Sequence, residues 1–187
     1  MFKKIIIMSV FLTAPLLLAA NADTTITPQH AYVGTKMCGM CHRSEKQGNQ
    51  LGIWQKSKHA QAYKTLESDE ANKIAKEKGF TTPAVKTPEC LKCHVTGYDV
   101  KASFLEKNFK IEDGVQCETC HGPGADYKSL SVMKNKKEAI AKGLVIPDIK
   151  TFCVKCHNSE SPTWKKGETF DADAMWAKIK HPIPAAK

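Results

Sequence analysis

The sequence predicts a mostly α-helical fold with long loops. Three observations carry that expectation: segments of helical periodicity that close on glycine or proline, loop stretches between them, and a five-residue cysteine motif repeated four times, each copy about one helical turn long. The first helical segment runs from Trp54 to Lys78, with Gly79 as its stop and Pro83 beyond. The stretch TTPAVKTPEC then forms a loop that feeds the second motif. A second helix covers Ser131 to Lys142 and ends at Gly143, and a last one runs from about Asp173 to Lys180, just before Pro182. The motifs start at 38, 90, 117 and 153, so their spacing is uneven and the chain is not a regular repeat array.

The chain opens MFKKIIIMSVFLTAPLLLAANA, with two lysines, a short apolar run and an Ala-Asn-Ala exit. That is the build of a secretory signal peptide over residues 1–22, cleaved to leave one domain over 23–187. No cysteine stands at the exit to take a lipid, and no later stretch has the length and apolarity to span a bilayer. The expectation is an exported, periplasmic and soluble protein. Its formal charge of +9 falls to +7 once the two leader lysines are gone. Nucleic acid is not the expected partner, because the lysines are scattered rather than gathered in one tract and export removes the protein from nucleic acid.

All eight cysteines fall in pairs that end in histidine: CGMCH at 38–42, CLKCH at 90–94, CETCH at 117–121 and CVKCH at 153–157. C-x-x-C-H is the attachment pattern of c-type heme. Residues three apart share one side of a helical turn, so Cys38 and Cys41, Cys90 and Cys93, Cys117 and Cys120, and Cys153 and Cys156 each present two sulfurs to one porphyrin edge. The next residue, His42, His94, His121 or His157, then offers its imidazole as proximal iron ligand. Disulfides suit an even cysteine count in an exported protein, and paired cysteines also build zinc sites, but neither explains four histidines in register. The expected cofactors are four covalently attached hemes, and iron is the expected metal. Four porphyrins would supply much of the apolar core of a chain with only 7% aromatic residues. Their propionates would also remove about four charges, leaving roughly +3, so many of the lysines are counter-ions within the molecule. Gly122 and Gly124 in CHGPG either let backbone pass close to a porphyrin or make an ordinary turn.

The seven histidines are His30, His42, His59, His94, His121, His157 and His181. Four close motifs and three remain for four irons, so at least one iron has no second histidine from its own chain. His59 shares a helical face with Ala62, Tyr63 and Leu66, and Ala60 and Ala62 leave room for a flat ring; the alternative is a hydrogen-bonded core histidine. His30 is a distal candidate or a surface residue near the mature N-terminus. His181 is a distal candidate or a histidine answering a helix dipole. Met133 and Met175 are freer to fill the deficit than Met37 and Met40, which lie in or beside the first motif.

The segments CGMCHRSEKQGNQLGIWQKSKHAQAY, ECLKCHVTGY and GVQCETCHGPGADY, in this order, resemble the tetraheme cytochrome c-554 family over most of the mature chain. The resemblance implies a mostly α, heme-wrapped fold with little or no sheet and porphyrins in stacked pairs. It implies three bis-histidine irons and an open one on the second motif, with His59 serving the iron of His121 and His181 that of His157. The chain departs from the family in one place. Ala125-Asp126-Tyr127-Lys128 follow CHGPG where the family has a distal histidine, and His30 is the candidate to replace it on the iron of His42.

These residues point first to an electron carrier between a donor and an acceptor redox protein, since no nucleophile or acid–base constellation is visible and the redox chemistry belongs to the heme. The alternative is a reductase or gas-binding protein for nitric oxide or a related nitrogen species, working at the iron that lacks a histidine. A third arrangement fills that position from a neighbouring chain and makes an oligomer.

Overall fold

The computed structural model describes residues 30–183. The leader over 1–22 lies outside them. Among the described residues the chain forms ten short α-helices and six 3-10 turns and no named strand. The one sheet-like contact is an isolated bridge between Tyr32 and Leu105. The fold is mostly helical with long loops, as the sequence predicts.

The helix expected over Trp54–Lys78 is broken into four pieces: Gln50–Gln55, a 3-10 turn at His59–Gln61, Ala62–Leu66 and Asp69–Glu77. Two serines make the breaks by offering the backbone local partners. The Ser57 hydroxyl donates to the Trp54 carbonyl at 2.7 Å, and Ser68 caps the last piece by accepting the Ala71 N–H at 3.1 Å. The expected Ser131–Lys142 helix is likewise split into Leu130–Met133 and Lys136–Ala141, because the Asn135 side chain accepts the Glu138 N–H and starts a new helix. The last helix is Ala172–Ile179, capped by Asp171, whose carboxylate accepts the Ala174 N–H at 3.0 Å.

Side chains alone make only two small apolar clusters. Leu66, Ala75 and Ala84 form one, and Tyr127, Val132 and Ala139 the other. Met133 packs against the second, so its side chain is used in packing. The largest fully buried side chains include two polar ones, Gln116 and Glu118, each 2% exposed. Glu118 lies inside the third motif and Gln116 directly precedes it, and this segment is the hub of the fold. The Glu118 carboxylate accepts N–H groups from Val33 at 2.9 Å and Gly124 at 2.7 Å on Oε1, and from Gly34 at 2.8 Å on Oε2. Gln116 accepts from both the amide and the hydroxyl of Thr35, and its own amide N–H donates to the Thr96 hydroxyl at 2.8 Å. The third motif thus holds the approach to the first and the exit from the second.

Two glycines near this hub let neighbouring chain approach closely. A Cβ on Gly114 would lie 2.7 Å from the His59 carbonyl oxygen, and one on Gly122 would lie 2.8 Å from that of Gly143, with φ of +75° and +73°. Both contacts need glycine.

Exchanging Glu118 for alanine strands three buried N–H groups at about 1–3 kcal/mol each in the unpaired state. Thermal unfolding followed by circular dichroism is expected to show a loss of about 3 kcal/mol or more, with Glu118→Gln losing less because its amide oxygen keeps the Val33 and Gly124 bonds. An E118A melting curve that overlays the parent would refute the hub.

Candidate heme-binding site

Each motif folds as one tight turn. Cys117–His121 is a five-residue helix, Cys90, Cys93 and His94 close the helix Pro88–His94, and the N–H groups of His42 and His157 each reach back to the first cysteine of their motif at 3.0 Å. The turn places both sulfurs on one side, as attachment to a single porphyrin edge needs. No two of the eight cysteines are joined in a disulfide, and among the described residues no three of His, Cys, Asp or Glu converge as a zinc site requires. The disulfide and zinc readings therefore have no support in the geometry.

The motif histidines are oriented from behind. His94 directs Nδ1 to the Ala62 carbonyl at 2.8 Å, His121 to the Val145 carbonyl at 3.0 Å, and His42 to the Gln50 side-chain oxygen at 3.3 Å. A donor bond at Nδ1 fixes the tautomer and leaves Nε2 as the free lone pair, the arrangement that metal-ligating histidines use. His157 has a different support, the Phe170 ring stacked on it at 5.0 Å.

Two of the spare histidines stand opposite motif histidines. The rings of His59 and His157 are 6.0 Å apart between centroids, and those of His121 and His181 are 5.9 Å apart. An imidazole nitrogen sits roughly 2 Å from a metal, so two rings flanking one metal have centres roughly 6 Å apart. The donor set therefore fits iron held between two imidazoles. A buried Nδ1 of His181 without a hydrogen-bond partner also marks that ring for binding. Burial first, then the neighbouring His157, lowers the pKa of His59; burial lowers that of His157; burial first, then His121, lowers that of His181. Neutral rings result, as ligands must be.

The pairing is the reverse of the one that the resemblance implies: His59 stands at His157 rather than His121, and His181 at His121 rather than His157. The reason lies in distant backbone contacts. The His59 carbonyl accepts the Val115 N–H at 3.1 Å just before the third motif and the Ala62 carbonyl holds His94 of the second, while the His59 ring itself faces His157 of the fourth. Gln50 donates to the Pro182 carbonyl at 2.9 Å, which draws the His181 segment to the first and third. His30 is brought to the loop after CHGPG, where Nδ1 bonds the Asp126 carboxylate. Met175 is 44% exposed, with its sulfur accepting from Lys178.

The motifs also meet through their cysteines. Cys38 neighbours Cys117, Cys93 neighbours Cys156, and Cys120 lies near Cys153. In space the motifs therefore run first, third, fourth, second. Sequence reasoning missed Glu118, Gln50, Phe170 and Asp126. Glu118 alone left a signal, a carboxylate inside a motif that has to be buried.

A helical chain that folds around four such turns is a multiheme c-type cytochrome, and its work is electron transfer. The family model described as cytochrome c554 and c-prime matches residues 37–122. Cytochrome c-554 of Nitrosomonas europaea is 28% identical over 169 residues, which span 82% of this chain and 69% of that protein. The solved reduced state of cytochrome c554 from the same organism superposes with a TM-score of 0.56 at 23% identity, covering 81% of this chain and 84% of the other, and shows the shared fold. The cofactors are four c-type hemes. Among the described residues no helix is long and apolar enough to cross a membrane.

If His59 and His157 flank one iron, the low-spin heme signal that His59→Ala converts to high-spin is the one that His157→Met shifts to a His/Met signal, whereas His121→Met shifts a different signal. Electron paramagnetic resonance of the oxidised protein counts these signals, and the opposite pattern would restore the pairing implied by the family.

Proposed function

We propose that the protein is a periplasmic tetraheme carrier that passes single electrons between a donor and an acceptor redox protein. The observation that carries this reading is the pair of facing imidazole sets at 6.0 and 5.9 Å, each made of one motif histidine and one spare histidine. A pair of histidines closes both sides of an iron, which suits electron transfer rather than substrate binding. When bound, each heme supplies a reversible one-electron change between ferric and ferrous iron.

The chain's own residues do the rest. Cys38, Cys41, Cys90, Cys93, Cys117, Cys120, Cys153 and Cys156 attach the four groups, and His42, His94, His121 and His157 hold the irons from the proximal side. His59 and His181 close the distal sides of the fourth and third, and His30 that of the first. His94 keeps its distal side open to other ligands. The Nδ1 bonds to Ala62, Val145 and Gln50 hold proximal rings through the charge change, so little reorganisation accompanies each transfer. The cysteine contacts set the order of passage as first, third, fourth and second motif. Support for export comes from the leader pattern of residues 1–22.

Mass spectrometry of the exported protein is expected to give the mature chain plus four hemes, and fewer than four would overturn the assignment. Resonance spectra are expected to show three low-spin irons and one high-spin iron. Nitric oxide or cyanide binding at that iron with turnover would favour the reductase alternative, whereas binding without turnover leaves the carrier reading in place.

A further inference from the structure

We infer that Asp126 is a positioning residue for His30, orienting its imidazole and strengthening it as the sixth ligand of the first motif's iron. This rests on the reading above that His30 is an iron ligand. His30 Nδ1 is bonded to Asp126 Oδ2, which leaves Nε2 as the ring's remaining nitrogen. The neighbouring residues fasten the two segments together, with the Ala125 N–H donating to the Ala31 carbonyl at 3.1 Å. On the other side of Asp126, the Tyr127 hydroxyl donates to the carbonyls of His121 at 3.1 Å and Gly122 at 2.7 Å. The carboxylate therefore projects from a corner that is pinned on both flanks.

The ring of His30 lies close against Gly143, where a Cβ would come within 3.1 Å of Cδ2 and 3.4 Å of Nε2. Glycine at 143 thus leaves the imidazole its place. The position also suits the first iron. His30 lies eight residues before Cys38, and Val33 and Gly34 on the way are bonded to Glu118 while Ala31 accepts from Ala125, so the Asp126 corner sits beside the segment that leads into the first motif. The rings of His121 and His157 already have partners in His181 and His59.

Asp126 differs in kind from the groups behind the proximal histidines. Ala62, Val145 and Gln50 offer neutral oxygens to His94, His121 and His42. Asp126 offers a carboxylate, and Lys128 does not neutralise it because that ammonium is bonded to Glu106 at 2.6 Å. A carboxylate at Nδ1–H draws the ring proton toward itself and raises the basicity of Nε2. A more basic ligand stabilises ferric over ferrous iron and lowers the potential of that heme. The aspartate stands in the segment where the family has a distal histidine of its own, so the chain has exchanged the ligand for the residue that aims one.

The test compares the full heme-loaded protein with Asp126→Asn, Asp126→Ala and His30→Ala, each checked by mass for four attached hemes. Spin states are read by electron paramagnetic resonance and midpoint potentials by mediated redox titration. H30A is expected to convert one low-spin heme to high-spin. D126N, which keeps an acceptor without the charge, is expected to retain the low-spin count and raise the potential of one heme. D126A is expected to lose part of that low-spin signal, and D126N to restore it. If H30A loses a low-spin heme while D126N leaves every potential unchanged, the role of Asp126 is refuted and His30 remains a ligand. If H30A keeps all low-spin signals, the ligand reading itself fails.

Discussion

The carboxylate of Glu118 is the interaction on which the rest of the structure depends. Three N–H groups from two separate segments converge on it, those of Val33 and Gly34 before the first motif and that of Gly124 after the third. Burial pushes its carboxyl pKa up, and the three amide donors offset only part of that rise. A protonated acid would turn one oxygen into a donor facing an amide, so the full set of bonds requires the anion. Residues 31–35 have almost no sheet partner to hold them; the bridge at Tyr32 and the bonds to Glu118 and Gln116 do that work. Cys38 follows a few residues on and comes beside Cys117 because this segment is fixed, so the approach of the first motif to the third depends on one buried, hydrogen-bonded charge.

A second constraint acts at the same scale. An imidazole is better aimed as a ligand when its other nitrogen is hydrogen-bonded, and the chain supplies that bond differently at His94, His121, His42 and His30. Ala62 and Val145 use main-chain carbonyls, which no side-chain substitution removes, whereas Gln50 and Asp126 use side chains that substitution can tune. The segment from His59 to Ala62 serves two motifs at once, presenting a ring to His157 and a carbonyl to His94. Close packing of four hemes on a short chain makes such double use necessary, because few backbone segments are left to pass between the motifs.

Much of this was legible in the sequence. Four C-x-x-C-H turns fix the cofactor by local chemistry, and counting seven histidines against four motifs exposes the shortage of distal ligands. The breaks at Ser57 and Ser68 were not read because helical periodicity ran straight through them, and the competing side-chain bonds are visible only once formed. The pairing of His59 with His157 was not legible for a different reason. The two rings come from residues 98 apart along the chain, and no local pattern carries such a contact. Asp126 appeared in the sequence only as a missing histidine; its use emerged when His30 arrived beside it from the other end of the chain.

The smallness of the side-chain core ties folding to electron transfer. Leu66 with Ala75 and Ala84, and Tyr127 with Val132 and Ala139, are two clusters with no contact network joining them into one interior. What joins the halves is polar and local to the motifs: Glu118 and Gln116 around the third, the Val115 bond to His59, and the approach of Cys120 to Cys153. The hydrophobic effect scales with apolar area removed from water, so the large apolar surface in such a chain belongs to the porphyrins. The groups that carry electrons are then the groups that complete the core, and a substitution that loosens one motif turn changes stability and potential together. That coupling explains why the supports behind the histidines are hydrogen bonds with defined directions rather than loose apolar packing: direction fixes a ligand, and packing alone would not.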